Sequence, residues 1–383
     1  MMELIFWVSA IVLFYSFVGY GLILLIISRL HRTPTAPDNW APQKVSFLIA
    51  AYNEAGLITE KLANTVSLDS HGAEVEIVVV SDGSTDGTAD VARAFGDPRV
   101  TVLEPGRVGK AEALGLGLEH CTGDVVIFSD ANAILAEGTL IALLRHFSDP
   151  DVGGVCGQIT VEGADGKTGG IGFSEGLFWN YDQALKTAES RVGGAVSAQG
   201  SVYAMRRALA ATPAPGCTDD FMISVQAVRA GKRLVFEPDA RTTEIVTENV
   251  SSEMRRRVRS SERGWRSLMT SAGLMNPFQH GWYAWQLISH KLIRRLNPLF
   301  LILLFISNLA LVGHGWFYTV LALCQIAFYA LAAAALAKPS FRRFKPASIA
   351  SFFVLAHVAM AWGFYRYATG RRSVLWTPSR EGT

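Results

Sequence analysis

Three apolar runs in the first third of the chain each end in a cluster of acids, amides and hydroxyls, and that repetition most constrains the fold. Val45–Ala51 runs into Tyr52-Asn53-Glu54, Glu76–Val80 into Ser81-Asp82-Gly-Ser-Thr-Asp86-Gly87, and Val125–Phe128 into Ser129-Asp130-Ala-Asn132. Runs this short and this apolar read as fully buried strands. In an open parallel sheet the ligand crevice lies outside the carboxyl ends of the strands, so polar residues there are placed to meet a ligand. Taken singly, each Asp or Asn is equally accounted for as a cap on the following helix. Three in succession favour a site.

The same alternation continues to about Thr247. Further strand-like runs are Arg99–Leu103, Gly154–Val161 and Arg233–Phe236, and helical patterns cover Glu54–Leu68, Thr85–Phe95, Lys110–His120, Gly138–Phe147 and Phe173–Ser190. Strands alternating with helices predict an α/β domain over 44–250, built on a mostly parallel sheet with helices on both faces. Val152–Gly172 is rich in glycine and reads as a strand followed by a mobile loop.

Hydrophobic residues make up 50% of the chain and charged ones 18%, a balance that calls for membrane segments. Leu4–Ile27 is 24 residues without a charge, long enough to span a bilayer. No basic region precedes it and no small-residue cleavage site follows, so an uncleaved anchor over 1–30 is expected. Arg29, His31 and Arg32 place its far end in the cytoplasm. Thr33–Pro42 reads as a linker. Ser251–Leu274 is a basic amphipathic helix and Pro277–Leu296 mixes Trp and Tyr with His, Lys and Arg, so 251–296 is expected at the membrane interface. An ordinary solvated helix is the alternative. About three more spans are expected over 297–368, with 369–383 a tail. Four spans from an outside N-terminus put the C-terminus outside, whereas Arg366, Arg371, Arg372 and Arg380 favour inside. Either the last stretch is re-entrant or interfacial, or the charge rule fails there.

Several chemistries are excluded. The net charge of +2 and the lack of a Lys/Arg block give no sign of nucleic acid. The four cysteines (Cys121, Cys156, Cys217, Cys324) form no C-x-x-C pair, which fits free thiols in a reducing compartment. Asp82–Thr88 fails as a calcium loop, because its third and twelfth positions are Ser84 and Arg93. No G-x-G-x-x-G follows the first strand, and Gly109-Lys110 lacks the rest of a Walker A loop. What remains is a strand-end carboxylate, Asp82, able to accept hydrogen bonds from a base or ribose, with Lys110 at a helix start near phosphates. Asp130 and Asn132 offer two oxygen donors to Mg²⁺ or Mn²⁺, which would neutralise charge on a departing nucleoside diphosphate. Thr218-Asp219-Asp220 opens a helix. Thr218 or Asp219 suffices as its cap, and the second acid is free to serve as a general base. Arg263 and Trp265 add a cation and an aromatic plane, or else simple membrane anchoring.

The ordered set Ala-Ala-Tyr-Asn-Glu (50–54), Ser-Asp-Gly-Ser-Thr-Asp-Gly-Thr (81–88), Gly-Lys-Ala-Glu-Ala-Leu (109–114), Gly-Asp…Ser-Asp-Ala-Asn (123–132), Gln-Gly-Ser-Val-Tyr-Ala-Met-Arg-Arg (199–207) and Thr-Asp-Asp-Phe (218–221) resembles the membrane-anchored family 2 glycosyltransferases. These are inverting enzymes of the cellulose-, chitin- and hyaluronan-synthase kind. The resemblance covers roughly residues 44–270. It implies a glycosyltransferase A fold, a Rossmann-like nucleotide-diphospho-sugar transferase sheet, with transmembrane helices attached. It also implies that Ala51, Tyr52, Glu54, Asp82, Lys110 and Asp130 bind the nucleotide sugar. By the same resemblance Asp130 begins the D-x-D metal motif, in which Asn132 replaces the second acid, and Asp220 is the catalytic base beside Asp219. Gln199, Gly200, Arg263 and Trp265 are the acceptor-side candidates. The Q-x-x-R-W motif of processive synthases is not reproduced by Ser261-Glu-Arg-Gly-Trp265.

The resulting expectation is a multi-pass enzyme of the cell (inner) membrane with its catalytic domain in the cytoplasm. It would move a hexosyl or N-acetylhexosaminyl group from a nucleotide-diphosphate-sugar to a lipid-linked or saccharide acceptor, adding one or a few sugars. A processive β-polysaccharide synthase and a degenerate nucleotide-sugar-binding regulator are the alternatives.

Overall fold

The computed structural model describes residues 1–31, 40, 42–163, 171–246 and 250–371. Most of the expected linker, the part of the expected loop beyond Gly163, and Arg32, Arg372 and Arg380 lie outside the described residues.

Among the described residues eight strands form one sheet: β1 (Lys44–Ala51), β2 (Glu74–Ser81), β3 (Val100–Leu103), β4 (Val125–Ser129), β5 (Ile134–Leu135), β6 (Val152–Gly163), β7 (Val202–Arg206) and β8 (Arg233–Val246). Their order is β3-β2-β1-β4-β7-β6-β8-β5. The β1/β2, β1/β4, β2/β3 and β6/β8 pairs are parallel, and the pairs of β7 with β4 and β6, and of β5 with β8, are antiparallel. Because side chains alternate across a strand, each inner strand feeds two cores. Phe47, Ile49, Val79 and Ile127 pack with Ile58 and Leu62 of α2 (Ala55–Ser67) on one face. On the other, Leu48, Val78, Val80, Val126 and Phe128 pack with Leu114 and Ile223.

Register decides where the polar strand ends fall. Ala51 lies beside Ser81, and Leu48 beside Phe128, so β1, β2 and β4 deliver Tyr52–Glu54, Asp82 and Asp130 to one edge. Strand β7 runs the other way and pairs Val202 with Ser129. Its start, Gly200-Ser201, therefore arrives at the same edge as Asp130. Three features differ from the sequence reading. Residues 202–206 are a central strand, β8 continues to Val246, and the short β5 closes the sheet beside it.

The remaining helices within the sheet domain are α3 (Thr88–Ala94), α4 (Lys110–His120), α5 (Thr139–Leu144), α6 (Ile171–Val192) and α7 (Asp219–Arg229). α7 is sealed by Phe221, Met222 and Val225 against Leu268 of α8 (Val250–Thr270) and Tyr283 and Leu287 of the next helix.

Among the described residues, four helices are long and apolar enough to cross a membrane: α1 (Met2–Ser28), α9 (Pro277–Ala310), α10 (Trp316–Ala337) and α11 (Lys345–Ala368). The aromatic and basic stretch 277–296 is thus continuous with the apolar 297–310. Near its C-terminal end α1 packs Tyr20 and Leu24 on Leu185 and Ala188 of α6, while Phe6 near its start meets Phe317 and Tyr318 of α10. Helix α11 lies along the basic helix α8. The Arg257 guanidinium stacks on Phe352, the Ser261 hydroxyl donates to the Met360 carbonyl at 3.1 Å, and Arg366 pairs with buried Glu262 at 2.7 Å. Arg266 donates to the Arg371 carbonyl at 2.8 Å. Both helices therefore advance in the same direction, side by side.

Candidate active site

The site is built on three loops at the carboxyl edge of the sheet. The Asn53 amide hydrogen goes to Ser84, the Asn53 side chain accepts from the Thr85 amide, and Asp86 accepts from the Ala55 amide at 2.9 Å. These bonds lace the loop after β1 to the loop after β2. Glu54 is buried and donates its amide hydrogen to Thr88 Oγ1 at 2.9 Å. Ala51 is buried as the last residue of β1.

Asp82 is 1% exposed, and its carboxylate serves the protein first. One oxygen accepts from the amides of Val108 and Gly109 at 2.7 and 2.8 Å, and the other is bonded to Arg107. Arg107 in turn lies 3.5 Å over the Tyr52 ring. The loop leading into α4 is thus fastened to the end of β2, and Gly83 makes room for it. At φ +63° Gly83 sits where a Cβ would fall 2.7 Å from the Arg107 amide nitrogen.

That fastening aims the first residue of α4, Lys110, across the site. Its ammonium contacts Asp130 Oδ1 at 2.7 Å and Asp219 Oδ2 at 2.9 Å. Burial opposes its charge, but the two carboxylates outweigh burial and hold the ammonium raised above its ordinary range. Asp219 is kept low by Lys110 in spite of its burial. Its neighbour Asp220 has no such partner. Burial and the adjacent Asp219 charge push the Asp220 carboxyl up to about 6, although the Phe221 amide donates to it at 2.7 Å. Two adjacent aspartates thereby differ in charge state: one is a fixed anion and the other a carboxyl raised toward neutrality. The Thr218 amide bonds to Ser267 of α8 at 2.8 Å, which locks this loop in place.

Oδ2 of Asp130 faces Gly200, where a Cβ would stand 3.2 Å away. The close approach keeps that oxygen open. Among the described residues no group of three or more His, Cys, Asp and Glu could hold a metal by itself. Asp130 with Asn132 therefore fits a hard cation only as part of a shell completed by oxygens from a bound phosphate.

The acceptor-side candidates divide. Gln199 and Gly200 stand beside the site, and Arg263 is buried, its charge facing Asp219. Trp265, two residues on, turns away. It is 4% exposed and packs on Phe364 and Tyr367 of α11.

Lys61 escaped the sequence reading. It is fully buried beneath the β4 end, donating to Ser129 Oγ at 2.7 Å and to the Ala133 carbonyl at 2.6 Å, and burial lowers its ammonium to about 7 against the pull of Asp130. Its spacing with Ile58, Leu62 and Thr65 on the inner stripe of α2 was the available signal.

This nucleotide-diphospho-sugar transferase architecture of the glycosyltransferase A type is shared with a solved structure. The mannosyltransferase from Pyrobaculum calidifontis, in complex with GDP-Man and Mn²⁺, superposes with a TM-score of 0.75 over 97% of this chain and 100% of that one, at 23% identity. Residues 46–209 match the family described as Glycosyl transferase family 2. The poly-beta-1,6-N-acetyl-D-glucosamine synthase of Staphylococcus aureus is 26% identical over 234 residues, 59% of this chain and 55% of its own length. The N-acetylglucosaminyltransferase of Rhizobium meliloti is 27% identical over 248 residues, 60% of this chain and 58% of its own. Residues 46–209 are thus similar to family 2 glycosyltransferases, and the chain spans just over half the length of these curated relatives.

Asp82→Ala removes the acceptor of two loop amides. Hydrogen exchange at Val108 and Gly109 is expected to speed up about tenfold or more, read by mass spectrometry of the detergent-solubilised protein. Unchanged protection there would show that the carboxylate does not hold the loop.

Proposed function

We propose that the protein transfers a hexosyl or N-acetylhexosaminyl group, with inversion, from a nucleotide-diphosphate-sugar to a saccharide or lipid-linked acceptor at the membrane, in polysaccharide or glycoconjugate synthesis. The observation that carries this reading is the pairing of Lys110 with Asp130 and Asp219 beside an unpaired Asp220. The names of the two curated relatives, both N-acetylglucosamine enzymes, support an aminosugar donor.

In this reading the loops after β1 and β2 hold the nucleotide, and Lys110 and the α4 N-terminus face its phosphates. Asp130 and Asn132 would hold Mg²⁺ or Mn²⁺, which when bound neutralises charge on the leaving diphosphate. Asp220 takes the proton of an acceptor hydroxyl, whose oxygen then bonds to the anomeric carbon as the bond to the nucleoside diphosphate breaks. Asp219, held ionised by Lys110, keeps its neighbour basic. The departure of Ser261–Trp265 from Q-x-x-R-W, together with the burial of Trp265, favours addition of one or a few sugars.

Asp220→Asn should abolish nucleoside-diphosphate release from the preferred donor, leaving UDP or GDP affinity within about twofold, since a base is lost and not a donor contact. Release would be assayed on detergent-solubilised protein with UDP- and GDP-sugars, Mn²⁺, Mg²⁺ or EDTA, and lipid extract. Near-normal turnover of the variant would remove Asp220 from the role. Tight donor binding with no release by the wild type under any condition would favour the regulatory alternative.

In this reading the catalytic domain and both ends of α11 lie on the cytoplasmic side. A helix that runs beside the arginine-rich α8 from Phe352 to Arg371 cannot cross the hydrocarbon core along that contact, so an interfacial α11 reconciles four apolar helices with a basic C-terminal end. A green fluorescent protein fused after Thr383 should fluoresce and an alkaline phosphatase should be inactive. The opposite pattern would make α11 a true crossing.

A further inference from the structure

A cavity of about 330 Å³ lies where α8, α9 and α11 meet the catalytic domain. Its wall holds five cations (Arg256, Arg257, Lys291, Arg294, Arg295) and a single carboxylate, Asp182. Asp182 is already shared among His290 at 3.2 Å, Arg294 at 3.4 Å and Lys186 at 3.6 Å. Among the described residues neither Lys291 nor Arg295 has a carboxylate within salt-bridge distance; Arg295 reaches only the Lys291 carbonyl, at 3.0 Å. Holding like charges together in a partly buried wall is costly without an anion to offset them. Basic pockets between helices at the cytoplasmic end of a membrane region suit lipid phosphate head groups, and guanidinium forks bind phosphate oxygens in pairs.

Four further observations fix what such an anion would carry. Oε1 of Gln199, on the cavity wall, is buried without a hydrogen-bond partner, an acceptor waiting for a donor such as a hydroxyl. The next residue is Gly200, which abuts Asp130, so one peptide link separates the cavity from the donor site. Lys291 also lies close enough to Asp220 to draw its carboxyl down, which places the cavity's charge beside the base. Finally, Ala356 and Met360 of α11 supply an apolar wall on the membrane-proximal side. The combination of cations, an apolar wall and an adjacent base fits an amphiphile with a phosphate head.

We propose that this cavity is the acceptor site and binds the phosphate or diphosphate head of a lipid-borne acceptor, with Lys291 and Arg295 as its counter-ions. The assignment rests on the proposed transfer reaction for its purpose, but not for its binding chemistry. The lipid tail would leave past α11, and the hydroxyl or sugar end would lie toward Gln199 and Asp220.

The test is a binding titration of the full chain in detergent, with EDTA present so that a metal at the donor site contributes nothing. The probes are farnesyl diphosphate, farnesol and inorganic pyrophosphate. Farnesyl diphosphate is expected to bind at least tenfold more tightly than either of the others. The double variant Lys291→Gln/Arg295→Gln should weaken it at least tenfold, and Lys291→Arg should retain it even if the double variant proves unstable. UDP binding in the presence of Mn²⁺ reports whether each variant is folded. Unchanged farnesyl diphosphate affinity in a folded double variant would overturn the assignment. Equal affinity for pyrophosphate would overturn the lipid source and leave a site for free phosphate. Binding that depends on Lys291 and Arg295, in a protein that releases no nucleoside diphosphate from any donor, would support the cavity assignment while overturning the transfer reaction.

Discussion

The ammonium of Lys110 between Asp130 and Asp219 is the interaction on which the rest of the site depends. It ties an acid at the end of β4 to an acid at the start of α7, two elements separated by nearly ninety residues of chain. A buried ion pair of this kind is poor evidence of stability, since desolvating the charges costs much of what their attraction returns. Its consequence is electrostatic. Asp219 is held ionised by a fixed partner, so burial and the adjacent Asp219 charge together raise the Asp220 carboxyl toward neutral pH. The scaffold serves this placement. Asp82 and Arg107 clamp the loop that aims Lys110, and Lys61 supports the turn bearing Asp130.

The catalytic domain and its membrane region share one polar network. Tyr20 of α1 donates to Glu189 of α6 at 2.6 Å, and His290 of α9 bonds the same carboxylate at 2.7 Å. α6 thus carries contacts from the first and second apolar helices, and Asp182, about two turns earlier, orients the cationic wall near Gln199. In the proposed reaction, a site at this junction would bring a water-borne donor to one side of Asp220 and a membrane-borne acceptor to the other.

Much of this was legible in the sequence, and the physical reason differs by element. Strands β1, β2 and β4 are buried on both faces, so they read as continuous apolar runs, and their polar ends mark the site edge directly. Strand β7 was not legible as a strand, because Val-Tyr-Ala-Met-Arg is short and its antiparallel pairing with β4 is a long-range choice. Gly200 could be named from a motif, yet its contact with Asp130 follows only from that register. The link from Lys110 to Asp219 was equally hidden, since nothing local joins residues so far apart. Apolar length marks α11 as a fourth candidate span, and the sequence could not show its packing along α8, which depends on Glu262, Ser261 and Arg366 meeting in space. Lys61 shows the opposite failure: its position on the inner stripe of α2 was visible, yet nothing was drawn from a lysine there.

The most direct measurement is the pH dependence of kcat for transfer to a saturating acceptor, with donor saturating and metal constant. With Asp220 as the proposed base its deprotonated form is the active one, so kcat should rise tenfold per pH unit below about 6 and level off above it. Lys110→Met should move that limb, because Asp219 then loses the partner that holds it ionised. A limb near the ordinary carboxylate range, or the same limb in both proteins, would contradict the division of roles between the two aspartates.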